Sequence, residues 1–304
     1  MMRTFYLRIA MLLSVLMAAT VVSRAQSQEA PTQAEALPEM PAKIYDKVAP
    51  VVAKIIADRG QKFGSGAVVG ISSQGRALIL TACHVVTSNF DEQDPNIRLE
   101  FYKDVKVKIG LDSVFVPAGV LTAFIDRAND LALVVTRHRV RHTKVIKYNR
   151  SEGVKPAQVI AAAGFFDKSH QLNLPVGRIT RLEDSTNFFV SSAEIQEGYS
   201  GGPLIDKHGR MIGVNIEMSE GESYARRMNL VLSIVEGWLQ SLEKKVKLTK
   251  VWEREKYTSF PQRLIKNPIF IVPEVATTVT GIYFFILKPD RSIFGEPPDP
   301  TEIR

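Results

Sequence analysis

The stretch of sequence that decides the fold is Gly64–Val86, GSGAVVGISSQGRALILTACHVV. Its apolar runs Gly66–Ile71 and Ala77–Ala82 flank the polar segment Ser72–Arg76, a pattern that predicts two strands joined by a hairpin loop. Similar short runs, rich in Val, Ile and Phe and separated by Gly, Asn, Asp and Ser, recur through much of the chain. Many short strands at close spacing predict an all-β barrel or sandwich rather than alternating strands and helices.

The remaining predicted strands share this apolar composition: Val51–Ala57, Ile97–Phe101, Leu131–Thr136, Ala157–Ala163, Phe188–Ser192, Pro203–Ile205, Met211–Glu217 and Met228–Leu232. The one strong helix signal comes late in the chain. Ser233 is placed to cap a helix in which Glu236 completes a capping box, while Ile234, Trp238 and Leu242 recur at every fourth residue. We therefore expect a helix near the C-terminal end of the folded region.

The composition narrows the class of protein. With one cysteine in 304 residues the chain forms no internal disulfide, which excludes a cysteine-stapled secreted scaffold. The formal net charge of +7 first suggests an acidic partner such as nucleic acid or a membrane surface. However, residues 1–25 contain Arg3, Arg8 and Arg24 and no acidic residue, so that their removal leaves 36 basic against 32 acidic residues and a charge of +4. We therefore predict no nucleic-acid partner.

Residues 1–25 have the pattern of a secretory signal peptide. The apolar run Ile9–Val22 follows a basic start and precedes Ser23-Arg24-Ala25, which has small residues at the −3 and −1 positions. The run is shorter than the ~20 residues that a spanning helix needs, and an uncleaved membrane anchor stays open as the alternative. Residues 26–42 are polar, contain three prolines and predict a flexible linker. We thus expect a secreted or periplasmic protein.

The candidate chemistry lies in three separate segments. In Glu197–Leu204, EGYSGGPL, glycines on both sides of Ser200 let backbone N–H groups converge and a substrate approach the serine hydroxyl. His84 ends the predicted strand Ala77–Ala82, where an imidazole can reach a cleft and act as a general base. Asp130 directly precedes a strongly apolar strand. Each residue alone has a plain structural explanation, but their chain order is that of a chymotrypsin-type His-Asp-Ser triad.

Together these motifs resemble those of the trypsin-like serine peptidases, most closely the bacterial HtrA/Deg-like branch. The matching segments are GSGAVV (64–69), LTACHVV (80–86), NDLALV (129–134), EGYSGGPL (197–204), GVNI (213–216) and the closing stretch NLVLSIVEGWL (229–239). The resemblance extends over residues from about 48 to 246, roughly two-thirds of the chain. It implies two antiparallel six-stranded β-barrels, with the active site in the cleft between them and a helix at the C-terminal end.

Carried over residue by residue, the resemblance assigns a role to each motif residue. Ser200 would be the nucleophile, His84 the general base and then the general acid, and Asp130 would orient His84 and stabilise its charged form. The backbone N–H groups of Gly198 and Ser200 would form the oxyanion hole, with that of Tyr199 nearby.

Three residues beside these motifs need separate explanation. Tyr199 stands where most relatives have Asn or Asp, and a phenol cannot pair with a new N-terminal ammonium as in digestive zymogens. Cys83 precedes the histidine, and alternation along a strand predicts that it faces away from the site as a small apolar filler. Asp126 is the other acid in reach by sequence, but it does not directly precede the strand.

The primary substrate pocket has two alternative interpretations. By resemblance, the segment Ser192–Gln196 should form its wall. If Ile195 lines the pocket, small or medium apolar side chains fit, whereas basic side chains are preferred if Glu194 reaches in instead. We favour the apolar pocket. The backbone of an extended substrate would pair with the strand formed by Val214, Asn215, Ile216 and Glu217.

Two other prominent segments have plainer interpretations. Arg137–Arg150, RHRVRHTKVIKYNR, is interpreted as a solvated connection between the barrels rather than a patch for an anionic partner. Since no third ligand lies near His138 and His142, we predict no metal site, and we predict no cofactor. Pro268–Leu287 is apolar over 20 residues, but its internal Glu274 favours strands or a docking arm over membrane contact.

These observations divide the chain into a signal peptide (1–25), a linker (26–42), a peptidase domain (43–246) and a C-terminal extension (247–304) too short for a PDZ module. Two functions from different classes remain open. One is a serine endopeptidase that cleaves peptides or unfolded proteins outside the cytoplasm, and the other is a catalytically silent peptidase-fold protein that binds a partner. The presence of all three triad positions favours the first.

Overall fold

The structure is a computed structural model, and it describes residues 39–254 except 92, 93, 95, 111, 113, 142 and 167–170. The predicted signal peptide, most of the predicted linker and the residues from 255 onward, including the apolar run 268–287, lie outside the described residues. Within the described part of the chain, no helix is long and apolar enough to cross a membrane.

A helix and six strands make up the N-terminal half: α1 (Lys43–Val48), β1 (Val52–Ala57), β2 (Lys62–Ser72), β3 (Ala77–Ala82), β4 (Lys106–Ile109), β5 (Val116–Asp126) and β6 (Leu131–Thr136). The antiparallel strands follow the order β1-β4-β5-β6-β3-β2, and the pairing of β2 with β1 closes them into a barrel. The hairpin predicted within 64–86 is present, because Ala67 of β2 lies opposite Leu80 of β3.

The second half contains a short strand, a second set of six strands and a helix: β7 (Lys147–Tyr148), β8 (Val159–Ala162), β9 (Val176–Glu183), β10 (Phe188–Ser191), β11 (Pro203–Asp206), β12 (Met211–Ser219), β13 (Glu222–Arg227) and α2 (Met228–Glu243). Strands β8 to β13 follow the order β11-β8-β9-β10-β13-β12, and the pairing of β11 with β12 closes the second barrel. The predicted pair of antiparallel six-stranded barrels is therefore confirmed.

The predicted C-terminal helix is confirmed, but it begins earlier than its sequence signal. Arg227 is the N-cap of α2, and Ser233 lies inside the helix, where its Oγ donates to the Leu230 carbonyl at 2.7 Å. The predicted strand Met228–Leu232 is thus wrong. The buried residues of α2 recur at three- and four-residue spacing, which a helix places on one face: Met228, Val231, Leu232, Val235, Leu239 and Leu242.

The predicted strand Ile97–Phe101 is also wrong, since the segment forms only an isolated bridge between Phe101 and Thr87. The Asn89 side chain accounts for this difference. Its Nδ2 donates to the Arg98 carbonyl, and its Oδ1 accepts from the Glu100 N–H, both at 2.8 Å. These backbone groups are therefore bound by a side chain, as in many loops, instead of a neighbouring strand.

The residues after α2 tie the two barrels together. Strand β14 (Leu248–Val251) pairs with β2 of the first barrel, and β15 (Glu253–Arg254) pairs with β7, which in turn pairs with β12 of the second barrel. The compact unit extends to Arg254. The domain boundary predicted at residue 246 therefore falls inside this unit.

An apolar cluster fills the space where α1 meets both barrels. Its buried members come from α1 and the residue after it, β1, β8, β11 and the segment after β8: Ile44, Val48, Ala49, Val52, Ala161, Ala163, Phe165, Leu172 and Ile205. Because protein interiors are close-packed, such a cluster holds the barrels in one relative position. That position matters because each barrel carries part of the candidate site.

Candidate active site

His84 and Asp130 form a hydrogen-bonded pair on the first barrel. The His84 Nδ1 lies 2.6 Å from the Asp130 Oδ2. The carboxylate is buried, with a side-chain exposure of 1%, while the imidazole keeps 27%. A buried carboxylate beside Nδ1 orients the ring and leaves Nε2 as the nitrogen able to accept a proton from another group.

The pairing of β3 with β6 explains why these two residues meet. Ala82 and Leu131 are the last pair in that ladder, and the next residues along each strand are Cys83 and Asp130. The Cys83 N–H donates to the Asp130 carbonyl at 3.1 Å, and the His84 N–H donates to the Asp130 Oδ1 at 2.9 Å. The Asp130 side chain thus takes the place of the next backbone acceptor after the ladder ends. With its Oδ1 bound to the His84 N–H, its Oδ2 lies beside the imidazole.

Asp126, the other acid in reach by sequence, has a different role. Its Oδ1 accepts from the Asn129 N–H, and its Oδ2 accepts from the Asn129 Nδ2, both at 3.0 Å. These bonds close the turn between β5 and β6, and Asp130 follows that turn with a φ of +54°. Asp126 therefore shapes the loop that presents Asp130.

Ser200 lies in a tight turn that enters β11 of the second barrel. Gly198 and Gly201 on either side have φ values of +101° and +82°, a backbone region in which L side chains are strained. The Gly201 N–H donates to the Asn215 carbonyl at 2.7 Å, and the Asn215 N–H donates to the Gly202 carbonyl at 2.8 Å. The turn is therefore held against β12, with the serine at its tip.

Hydrogen bonds between the barrels hold the Ser200 turn and the Asp130 turn in place. The Ser65 N–H on β2 donates to the Ser200 carbonyl at 2.8 Å. From the other barrel, the Arg226 guanidinium on β13 donates to the carbonyls of Asn129 at 3.2 Å and Ala128 at 3.3 Å. Each barrel thus holds the loop that carries a candidate site residue of the other.

Tyr199 faces the interior of the second barrel. Its side chain is 4% exposed and packs in that barrel's apolar cluster, and burial raises the pKa of the phenol to about 12. Its N–H donates to the Gln196 carbonyl at 3.2 Å. Because this amide closes a turn, it is not free to take part in the predicted oxyanion hole, which stays a prediction for the amides of Gly198 and Ser200.

The candidate residues meet in one cleft with a cavity of about 540 Å³. Its lining comes from both barrels: His84, Phe90, Asp91, Asp130, Ile195, Gln196, Glu197, Ser200, Ile216, Glu217 and Met218. The three predicted reactive residues, which are far apart in sequence, therefore line one open cleft. A cleft of this volume can hold several side chains of a peptide.

The predicted substrate residues separate into those that line the cavity and those that do not. Ile195 and Ile216 line it, whereas Glu194 is exposed outside it, which supports the apolar alternative for the pocket. Val214 packs in the apolar core of the first barrel instead, and Asn215 is buried with its backbone bound to the Ser200 turn. Alternation along β12 turns Asn215 away from the face that carries Ile216, whereas Val214 shares that face but lies two residues earlier in the strand and does not line the cavity.

Sequence reasoning missed the residues at the rim of the cavity. Phe90 lies beside the imidazole, with 6.1 Å between the two ring centroids. Glu197 directly precedes Gly198, and Met218 follows the predicted substrate strand, whose last residue, Glu217, also lines the cavity. Glu197 stands inside the quoted EGYSGGPL motif, so its place beside the turn was legible in the sequence.

Cys83 lies on the opposite side of the chain from the cleft, as predicted. It is fully buried in the core of the first barrel, and burial, with the nearby Asp130 charge, raises its pKa to about 12. A neutral thiol in an apolar core is a packing group rather than a nucleophile. Within the ranges that the structure describes, no group of three His, Cys, Asp or Glu side chains is placed to hold a metal ion.

Comparison with known proteins gives relatives that cover the same region. Residues 64–214 match the family described as trypsin-like peptidase domain. The chain is 26% identical to serine protease HTRA3 of Homo sapiens over 204 residues. This aligned region covers 60% of this chain and 42% of HTRA3. It is 27% identical to serine protease HTRA1 of Xenopus tropicalis over 199 residues, and that aligned region covers 60% of this chain and 40% of HTRA1. The chain thus spans about two-fifths of the length of these curated relatives.

Solved structures show the same fold. The serine endoprotease from Yersinia pestis superimposes with a TM-score of 0.51 at 22% identity, over 70% of this chain and 76% of that chain. The HtrA-type protease AlgW superimposes with a TM-score of 0.52 at 22% identity, over 66% of this chain and 64% of that chain.

Proposed function

Because this chain belongs to the trypsin-like serine peptidases, with HtrA proteases among its relatives, we propose that it is a serine endopeptidase in which Ser200, His84 and Asp130 form the catalytic triad. The observation that carries the proposal is the 2.6 Å contact between the His84 Nδ1 and the buried Asp130 carboxylate, at a cavity that Ser200 also lines. A buried carboxylate is costly unless it is hydrogen-bonded, and this one accepts its bonds from His84.

In the proposed mechanism the Ser200 Oγ attacks the carbonyl carbon of the scissile peptide bond. The His84 Nε2 takes the hydroxyl proton and later gives it to the leaving amine, while Asp130 stabilises the imidazolium without itself becoming protonated. The developing oxyanion is received by the N–H groups of Gly198 and Ser200. In hydrolases of this kind, one such donor contributes about 10²–10³ in turnover.

The proposed substrate is an extended peptide or an unfolded protein segment. Its backbone adds as a strand along β12 beside Ile216, and the side chain before the scissile bond enters a pocket walled by Ile195. The apolar character of both isoleucines favours a small or medium apolar side chain there.

We further propose that the protein acts outside the cytoplasm, as a secreted or periplasmic enzyme. The support is the pattern of residues 1–25, with its basic start, apolar run and small residues around Arg24. N-terminal sequencing of the protein recovered from a cell fraction tests this: a start at Gln26 in an extracytoplasmic fraction is expected, and intact protein in the cytoplasm contradicts it.

Labelling with a fluorophosphonate probe tests the catalytic proposal. Such probes phosphonylate a serine only where a base activates it, so the wild type should be labelled and Ser200→Ala should not. A Cys83→Ala variant is the matched control and should keep its label. If the wild type stays unlabelled while it is folded, the endopeptidase proposal fails and a silent binding protein of the same fold takes its place.

A further inference from the structure

A second groove, of about 670 Å³, lies at the turn between β2 and β3. The residues that give it polar character are three cations, four hydroxyl residues and one amide: Arg139, Arg141, Lys250, Ser72, Ser73, Thr143, Thr249 and Gln74. None of the described residues that line it is acidic. In contrast, the catalytic cleft carries four carboxylates and no lysine or arginine among its lining residues.

Backbone hydrogen bonds build the walls of this groove around the Ser72–Arg76 turn. The Val140 N–H donates to the Gly75 carbonyl at 2.9 Å, and the Ser73 N–H donates to the Lys247 carbonyl at 2.8 Å. Gly75 has a φ of +74°, and a Cβ there would lie 2.6 Å from the Arg139 Cγ. The aliphatic part of the Arg139 side chain therefore packs directly against Gly75, where any larger residue would overlap with it.

The cations of the groove are available to an external anion. No carboxylate in the part of the chain that the structure describes forms an ion pair with Arg139, Arg141 or Lys250. The two chain segments that carry these cations, 137–150 and 244–252, contain further basic residues and no acidic residue. Cations gathered on one face without counter-charges attract anionic surfaces.

Exposed apolar side chains lie next to these cations. Val246 and Val251, which are 37% and 36% exposed, stand on either side of Lys247 and Lys250 along the chain. Basic residues interleaved with exposed apolar ones are typical of surfaces that rest on a bilayer.

We propose that this groove, with the cations and valines around it, binds the anionic surface of a lipid bilayer. Arg139, Arg141 and Lys250 would receive the phosphate groups of the lipids. A bilayer is favoured over a soluble anion because Val246 and Val251, exposed beside these cations, offer apolar contacts that a soluble anion does not use. The proposal does not depend on catalysis.

This placement keeps the catalytic cleft accessible. The groove lies at the turn before β3, and His84 follows the other end of that strand. A strand rises about 3.3 Å per residue, so the six residues of β3 separate the two by about 20 Å. The protein would rest on a membrane with its cleft away from the lipid.

Vesicle sedimentation of the full chain tests the proposal. Sucrose-loaded vesicles of phosphatidylcholine are compared with vesicles that also contain phosphatidylglycerol, so that insertion of the apolar runs 9–22 and 268–287, common to both, does not enter the comparison. Stronger binding to the anionic vesicles, weakened by salt, is expected. Each cation near an anionic membrane surface strengthens partitioning onto that membrane by about fivefold. The triple variant R139Q/R141Q/K250Q should therefore partition onto anionic vesicles roughly 100-fold more weakly than the wild type.

The matched control removes the same charge from three exposed lysines that do not line the groove, Lys103, Lys155 and Lys207. K103Q/K155Q/K207Q should change the partitioning by less than about fivefold. If the triple groove variant melts below the wild type, the single variants R141Q and K250Q, each expected to lose about fivefold, replace it.

Three results would overturn the proposal. Equal binding to both kinds of vesicle would show that charge is not involved, and equal losses in the two triple variants would show that net charge acts without the groove. Displacement of the protein from anionic vesicles by millimolar inorganic phosphate or by polyglutamate, at constant ionic strength, would assign the groove to a soluble anion or an acidic polypeptide.

Discussion

Ser65 of the first barrel donates its hydroxyl proton to the Gly198 carbonyl of the second, with 2.7 Å between the two oxygens. The same hydroxyl accepts from the Phe165 N–H at 2.9 Å, and the Ser65 N–H donates to the Ser200 carbonyl. Ser65 thus binds the turn on both sides of Tyr199. The orientation of the peptide groups around Ser200 therefore depends on a residue of the other barrel.

A Ser65→Ala substitution tests whether this contact matters for the reaction. It leaves two buried backbone groups without a partner, at a cost of about 1–3 kcal/mol in stability. If it also loosens the Gly198 and Ser200 amides, the rate of fluorophosphonate labelling should fall by about 10-fold to 10²-fold. The rate is measured on protein shown to be folded by circular dichroism.

Thr136→Ala is the control for Ser65→Ala. The Thr136 hydroxyl is equally buried, accepting from the Ala77 N–H and donating to the His138 carbonyl, both at 2.9 Å, in the same barrel. A similar loss of stability with an unchanged labelling rate is expected. Equal labelling rates in the two variants would show that Ser65 is structural only.

Asp130→Asn should lower the labelling rate by about 10⁴-fold while the fold stays intact, because an amide in place of the carboxylate favours the wrong tautomer of His84. Asp126→Asn removes a neighbouring acid but keeps an oxygen for the Asn129 N–H, so a change of less than about tenfold is expected. A comparable loss in both variants would assign the effect to the loop rather than to the carboxylate at His84.

The pocket assignment predicts different outcomes at two adjacent positions. Ile195→Val shortens a side chain that lines the cavity and should shift cleavage of a peptide library toward larger apolar residues before the scissile bond, at a cost of about 0.5–1.5 kcal/mol in stability. Glu194→Gln should leave the profile unchanged, since Glu194 is exposed outside the cavity. If Glu194→Gln instead cleaves less often after basic residues than the wild type does, the alternative pocket, in which Glu194 binds a basic side chain, is correct.

Gly201→Ala should prevent the turn from forming. The added Cβ would lie 2.2 Å from the Thr81 Oγ1 and 2.4 Å from the Ser65 carbonyl oxygen, and the backbone has a φ of +82°. Overlap with backbone atoms and strain together should cost about 3 kcal/mol or more. Denaturant unfolding measures the loss.

Gly237→Ala is the matched control for Gly201→Ala, because Gly237 lies inside α2 with nothing within 4 Å of an added Cβ. It should stabilise the protein by about 0.5–1 kcal/mol. A Gly201→Ala variant as stable as the wild type would mean that the turn has another conformation.

The predictions from sequence were most accurate for features that short local motifs determine. The hairpin at 64–86 and the candidate residues His84, Asp130 and Ser200 stand in short motifs, and each lies at the strand end or turn that its motif predicts. The contacts that hold these motifs together could not be predicted in this way. Ser65 and Gly198 are 133 residues apart, and Arg226 and Asn129 are 97 apart, so that only the packing of the two barrels reveals them.

The wrong predictions have local physical reasons. Met228–Leu232 has the β-branched composition of a strand, but its apolar residues complete the buried face of α2, and tertiary packing outweighs such propensities. At Ile97–Phe101 the Asn89 side chain competes for the backbone groups. Glu194 and Ile195 are adjacent in sequence, and only the course of the chain beside the cleft decides which one lines it.

The single buried thiol has a practical consequence for measuring motion. Cys83 adjoins His84 and is 0% exposed, and burial raises its pKa to about 12, so that at neutral pH the thiol is protonated. An alkylating reagent can therefore react at an appreciable rate only when the first barrel opens. Because there is no second cysteine in the 304 residues, the rate of alkylation, followed by mass spectrometry, reports how often the core beside His84 opens.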